Sequence, residues 1–215
     1  MQKYVAQLYF LRIGMKVICW LNRIAVAILD GVRLAIDAIG IETNIASKHY
    51  EKRIKHKKIT YLKLSVLIDV DNLLVHDWIS EKCHVHDVIH AERIFKRNRL
   101  RSRSVFADKG YDSNKLIKLC HEKKSLLYCP IQNFKIPYPG GYFRQEQYER
   151  FDKGTYHSGR NPVECIMGLI KHNKLVIRAK KLRYKYREMA WNILAYNLER
   201  MAKAIKLFLS RSLWT

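Results

Sequence analysis

The chain has 215 residues, 48% of them hydrophobic, which suffices for one sizeable core or for one domain with an appendage. Its 41 Lys and Arg against 19 Asp and Glu give a formal net charge of +22, an excess that favours a polyanionic partner, because basic side chains that neutralise phosphates release condensed counterions. These basic residues are spread along the whole chain instead of forming a juxtamembrane cluster, which disfavours a membrane-surface role. The five cysteines (Cys19, Cys83, Cys120, Cys129, Cys165) form an odd set without a C-x-x-C pair, which speaks against a disulfide framework or a four-cysteine zinc site and fits a reducing cytoplasm.

The first stretch, Met1 to Asp37, is apolar, but Lys3, Arg12, Lys16 and Arg23 interrupt it before any run is long enough to span a bilayer. Neither a membrane span nor a cleaved signal peptide is expected. Mixed helical spacings predict one or two helices between about Val5 and Leu29, so residues 1–31 are read as a short helical N-terminal segment and 32–215 as the main domain. Val32 to Asp37 is a short apolar strand that ends on its aspartate. Ile59 to Val70 alternates as a longer strand, and Leu73 to Ile79 pairs back onto it across Asp71-Asn72. Asp87 to Asn98 is predicted helical, Ser104 to Asp108 a buried strand, Asp112 to Lys123 a helix and Leu126 to Pro130 a further strand. Residues Gln132 to Thr155, with two of the four prolines and Gly140-Gly141, read as a loop or loose hairpin. Helices follow over Arg160 to Lys174 and Glu188 to Leu209. The alternation indicates an α/β layer fold with a helical C-terminus.

Three acidic residues stand out. Asp37 and Asp108 each follow a buried strand, where α/β sheets open onto their ligand crevice, and Glu164 lies on an amphipathic helix in GRNPVECIMGLIKH. Hard carboxylate oxygens in such an arrangement can hold divalent cations for phosphodiester chemistry. Strand-terminating turn residues would look the same. Arg160, four residues before Glu164, is placed either for a surface ion pair with it or, together with Lys171, for gripping phosphates beside a metal-bound Glu164.

Three blocks in order carry a resemblance to a known family: LAIDAIGIETNIASKHYEKRIKHKK, FADKGYDSNKL and YHSGRNPVECIMGLIK, with LRYKYREMAWNILAYNLERM after them. The chain resembles the DDE transposases of bacterial and archaeal insertion sequences, in the large group containing insertion sequences four and five, from about Val32 to its C-terminus. The first block is similar to that family's first catalytic Asp with a Ser-x-x-Tyr-x-x-Arg stretch, the second to the block around the second Asp, and the third to a tyrosine, arginine, glutamate and lysine signature. The resemblance implies a ribonuclease H-like mixed sheet flanked by helices. Asp37, Asp108 and Glu164 would bind two magnesium ions, with manganese as a substitute. Water and then a freed DNA 3′-hydroxyl would attack phosphodiesters, without a covalent protein intermediate. It further implies double-stranded DNA, both element ends and target, as partner, a homodimer on paired ends, and a cytoplasmic location on the nucleoid. Three features depart from the pattern. Ala38-Ile39 stand where a hydroxyl residue is usual two positions after the first Asp, Tyr156 is one residue farther from Arg160, and only 36 residues precede Asp37. The expectation from the last is a truncated copy with a catalytic core and a remnant of an end-binding domain.

Other motifs admit two readings each. His86-Asp87-Val88-Ile89-His90 imitates the H-E-x-x-H zinc motif, but its Asp is one methylene shorter than that motif's general base, and partly exposed helical histidines are the plainer expectation. Asp69 and Asp71 in VLIDVDN rival the acidic trio, although Asp71-Asn72 suits a hairpin turn. Tyr128, Phe134, Tyr138, Tyr142 and Phe143 would stack unpaired bases or cap the core. Lys180, Lys181, Arg183, Lys185 and Arg187, the densest basic cluster, would contact backbone phosphates or form a solvated helix face. A remnant that only binds nucleic acid, and a structure-directed nuclease that hydrolyses DNA without joining ends, are the competing functions.

Overall fold

The computed structural model describes residues 16, 19–24, 33–43, 61–82, 85–100, 103–131, 141–172, 177, 179 and 181–212. Strands β1 (Arg33–Glu42), β2 (Tyr61–Asp69) and β3 (Leu74–Lys82) lead into α1 (Asp87–Arg97) and β4 (Ser104–Ala107). A 3-10 turn (Lys109–Tyr111), α2 (Asn114–Glu122), β5 (Leu126–Tyr128), α3 (Tyr142–Glu149), α4 (Lys153–His172) and α5 (Leu182–Ser212) complete the order. The five strands form one mixed sheet in the order β3-β2-β1-β4-β5. Strand β2 runs antiparallel to both β1 and β3, and β4 and β5 run parallel to β1. This is the ribonuclease H-like arrangement, an α/β fold with a helical C-terminus.

Strand alternation divides the core into two layers. On one face Ala35, Ile41, Leu64, Val66, Ile68 and Phe106 meet Val163, Ile166, Met167 and Ile170 of α4 and Met189, Ile193 and Tyr196 of α5. On the other, Leu34, Ile36, Leu67, Val105, Ala107 and Leu127 meet Ala91, Ile94 and Phe95 of α1 and Leu116, Ile117 and Cys120 of α2. Central β1 and β4 are buried on both faces, which explains why their sequences read as continuous apolar runs instead of alternating.

The β2–β3 hairpin forms across the expected residues, and its turn is built by Asp69. That buried carboxylate accepts the backbone N–H of Asp71 (2.9 Å) and of Asn72 (3.1 Å) and the Asn72 side-chain amide (2.9 Å). Asp71 in turn pairs with Arg33, at 2.6 Å from Nε. Both acids of VLIDVDN are therefore turn builders.

Three expectations need correction. Asp37 does not end its strand: β1 continues through Glu42, because Ala38 to Glu42 pair with Ser65 to Tyr61 of β2. Residues 132–155 are not all loop, since α3 occupies Tyr142–Glu149 and α4 begins at Lys153. The early start of α4 has a cap behind it, Asp152 Oδ2 accepting the Thr155 N–H at 2.6 Å, and Gly154, Gly159 and Pro162 conceal the helical pattern in sequence. Helix α5 likewise begins at Leu182, ahead of the expected Glu188. The expected N-terminal helices fall mostly outside the described residues, within which 19–24 are helical, and the Ser47, Tyr50, Arg53 stretch lies outside them altogether.

Candidate active site

The parallel pairing of β1 with β4 runs from Arg33↔Ser104 to Ile36↔Ala107. The next residues on the two strands are Asp37 and Asp108, which therefore stand side by side where β4 ends, on strands about 4.8 Å apart. Both share the parity of Ala35 and Phe106, so alternation sends both toward α4. The crevice opens here because β4 stops while β1 runs on. Asp37 is thus mid-strand with respect to β2 and at the pairing limit with respect to β4.

Helix α4 closes the crevice with Arg160. Its Nη2 donates to Asp37 Oδ2 at 2.9 Å, and Asp37 Oδ1 accepts the Ala38 N–H at 2.8 Å. The pair is mostly shielded, with side-chain exposures of 15% for Arg160 and 22% for Asp37. Burial alone would lower the Arg160 pKa, but the Asp37 carboxylate, assisted by Tyr156 and Asp108, reverses this and holds the guanidinium above its ordinary value. Arg160 Nη1 is buried and has no hydrogen-bond partner among the described residues.

Helix α4 can come this near the sheet because position 159 is glycine. A Cβ there would lie 2.4 to 2.5 Å from the ring of Phe106, which stacks with the Tyr128 ring at 5.1 Å. Gly159 therefore sets the height of Arg160 over Asp37.

Asp108 caps the 3-10 turn. Its Oδ1 accepts the Lys109 N–H at 2.6 Å, and its backbone carbonyl accepts the Tyr111 N–H at 2.9 Å and the Cys129 thiol at 3.0 Å. Tyr111 is buried beneath the turn, and its hydroxyl has no partner among the described residues. Burial, then the Asp87 and Asp37 carboxylates, raises its pKa.

Glu164 lies one turn beyond Arg160, on the exposed shoulder of α4. Arg160 pairs with Asp37, so the simple ion pair between Arg160 and Glu164 is not what the fold makes. Nor does the fold draw Glu164 into a cluster: no group of three or more His, Cys, Asp or Glu lies within metal-holding reach among the described residues. The donor set nevertheless suits a hard divalent cation. It offers two neighbouring carboxylates, already accommodating positive charge from Arg160, at the mouth of a parallel strand pair.

Tyr156 is half-buried and packs on the core and against Phe151 at 5.5 Å. Burial raises its hydroxyl pKa, against the opposing pull of the Arg160 guanidinium. Lys181, Arg183, Lys185 and Arg187 lie at the start of α5, with Lys181 and Arg183 exposed and Arg187 half-buried. Lys180 and the side chain of Lys171 lie outside the described parts. Tyr128 caps the core through Phe106, Phe143 packs under α2 beside His121, and Tyr142 is 73% exposed. Phe134 and Tyr138 lie outside the described residues.

The histidine pair is structural in form. His86 caps α1, accepting the Val88 N–H at 3.4 Å. His90, far from partly exposed, is fully buried between Ser65 Oγ at 2.8 Å from Nδ1 and Glu81 at 3.4 Å from Nε2. Cys83 lies outside the described residues.

Sequence reasoning missed Gly159, Tyr111 and the buried Arg144. The adjacency of Gly159 and Arg160 was visible, but only the position of Phe106 gives it meaning.

A search among curated proteins returns no match. The family model for the transposase DDE domain matches residues 29–198, more than three quarters of the chain. That span contains the β1–β4 crevice, Asp37, Asp108 and the α4 helix over them, and the protein belongs to the transposase DDE domain family.

Proposed function

We propose that this transposase cuts and joins DNA at the ends of a mobile element of the group containing insertion sequences four and five, with Asp37, Asp108 and Glu164 as its acidic residues. The carrying observation is the Ile36↔Ala107 pairing, which brings Asp37 and Asp108 out side by side beneath Arg160. Magnesium, or manganese in its place, would be held by Asp37 and Asp108 with Glu164, and when bound would polarise the phosphate and the attacking and leaving oxygens.

The chain's own residues supply position and charge. Arg160 offsets the repulsion of adjacent carboxylates and orients Asp37, while the Lys109 N–H fixes one Asp108 oxygen. The net charge of +22 supports a DNA partner. Lys180, Lys181, Arg183 and Arg187 are assigned to backbone phosphates, with Lys171 and Tyr156 nearer the reacting strand. Joining two ends favours a homodimer on paired DNA. No helix among the described residues is long and apolar enough to cross a membrane, in keeping with a place on the nucleoid.

Crystals soaked in manganese and read by anomalous scattering test the site without knowledge of the DNA ends. Ions on Asp37 and Asp108 are expected, and ions settling elsewhere in a well-ordered crystal would sink the metal assignment. Asp108→Asn should abolish metal-dependent strand transfer while salt-sensitive DNA binding persists. An active variant would refute the role of Asp108, and products without joined strands would point to a nuclease.

A further inference from the structure

We infer that Arg144 is a positioning residue for Asp108, acting with Gln147 to clamp both ends of the Asp108–Asp112 turn from helix α3. The inference rests on the reading of Asp108 as a metal ligand and adds how its geometry is held.

Helix α3 docks in an unusual way. A short helix retained for packing buries apolar side chains, yet the two buried residues of α3 are Arg144 and Gln147, 5% and 4% exposed. Each reaches a different end of the same turn. Arg144 Nη2 donates to the Asp112 carboxylate and Nη1 to Asn114 Oδ1 at 3.1 Å, which ties the guanidinium to the exit of the turn and the first residue of α2. Asp112 is the C-cap of the turn, its N–H donating to the Lys109 carbonyl at 3.1 Å. Gln147 Nε2 donates to the Cys129 carbonyl at 3.4 Å, and the Cys129 thiol donates to the Asp108 carbonyl at 3.0 Å. Both tethers end on the five-residue segment that aims Asp108, one directly and one through the end of β5.

The chemistry favours positioning over bulk stability. The Arg144–Asp112 pair is buried on both sides, with side-chain exposures of 6% and 0%. Desolvating two charges offsets most of their attraction, and apolar residues of similar volume stabilise a fold as well. What a planar guanidinium adds is direction, since its donors leave at fixed angles. Groups that orient a metal ligand from behind commonly change metal affinity about 10-fold or more when altered.

Arg144→Lys keeps the charge and loses the fork, and Gln147→Leu cuts only the second tether. Arg150→Lys serves as control, because Arg150 pairs with Glu146 on the exposed side of the same helix. Hydrogen exchange should show the amides of Lys109 to Asp112 opening about 10-fold faster in Arg144→Lys, with those of β2 unchanged, and manganese binding weakened about 10-fold. Gln147→Leu should show the same local loosening, more weakly, and Arg150→Lys neither effect. Unchanged exchange at 109–112 in both variants, or an equal acceleration throughout β2, would overturn the inference in favour of a merely structural role. If the parent chain binds no manganese, the ligand reading of Asp108 fails by itself, while the exchange data still decide whether Arg144 holds the turn.

Discussion

Replacing Gly159 by alanine separates two opposing effects of known sign. In an open helix, alanine is favoured over glycine by about 1 kcal/mol. At 159 the added Cβ would meet the Phe106 ring at 2.4 Å and must retreat to about 3.4 Å for ordinary contact, so α4 has to lift by about 1 Å. The ring cannot yield instead, being fully buried and stacked on Tyr128. Overpacking of this kind costs roughly 1–3 kcal/mol, which cancels the helical gain or exceeds it by up to about 2 kcal/mol. Gly168 on the same helix has nothing within 4 Å of its would-be Cβ, so Gly168→Ala should show the bare gain. In a chain of this size 1 kcal/mol moves the melting temperature by about 2–4 °C. Thermal unfolding should therefore place Gly168→Ala above the parent and Gly159→Ala at or below it. The lift also displaces Arg160, the next residue, from Asp37, so manganese affinity should fall in Gly159→Ala and hold in Gly168→Ala. Equal stabilisation of both variants, with metal binding unchanged, would refute the claim that a glycine contact sets the height of the helix.

Asn197 closes the β3 edge as a neighbouring strand would, accepting the Val75 N–H at 2.9 Å and donating to the Val75 carbonyl at 2.8 Å. Asn197→Leu leaves the Val75 N–H buried and unpaired, while the Val75 carbonyl keeps the Asn22 amide at 3.3 Å, and chemical denaturation should show a loss of roughly 1–3 kcal/mol; no measurable loss would contradict the pairing. Burial pushes the His90 imidazole below its ordinary value, partly offset by Glu81. Since the unfolded chain takes up that proton first, stability should fall as pH drops below about 6.5, by at most about 1.4 kcal/mol per unit from this one group. His90→Gln should flatten that slope, and an unchanged slope would show that His90 does not contribute. Charge reversal at Lys181, Arg183 and Arg187 should weaken DNA binding and reduce the salt slope by about 0.9 for each phosphate that is no longer neutralised; a parallel salt dependence would assign this face to solvent.

The sheet was legible because its apolar segments are short and bounded by turn residues, and Asp69, Asp71 and Asn72 mark the hairpin by chemistry that requires no tertiary partner. The extent of β1 was not. Ala38 to Glu42 lack a strong local pattern, and only their pairing with β2 makes them a strand. Helix α3 escaped for a related reason: its buried face is polar, so it carries no apolar periodicity to read. Asp37 and Asp108 could be chosen from their positions after buried strands, but their adjacency depends on the register of β1 with β4, which strand length alone does not determine. His90 illustrates the converse error. A histidine on a helix beside another histidine suggests exposure, whereas Ser65 and Glu81 on neighbouring strands supply the partners that let it be buried.

Arg160 makes its ion pair with Asp37 instead of the Glu164 that its sequence position offers, and its guanidinium keeps a second arm. A guanidinium has several donors fixed in a plane, so holding Asp37 does not exhaust it. Nη2 takes the carboxylate, and Nη1 is buried beside the crevice without a partner among the described residues. An orphaned charged donor is costly in an enclosed site, which makes an incoming phosphate oxygen a better partner there than on the open surface. Under the proposed function, ion pair and phosphate grip would be successive uses of one side chain: the arm on Asp37 fixes the plane of the guanidinium, and that plane would determine where a phosphate is received. The same reasoning explains why Gly159 matters beyond packing. The height of α4 sets the distance to Asp37, and through the rigid fork it also sets the direction of the second arm.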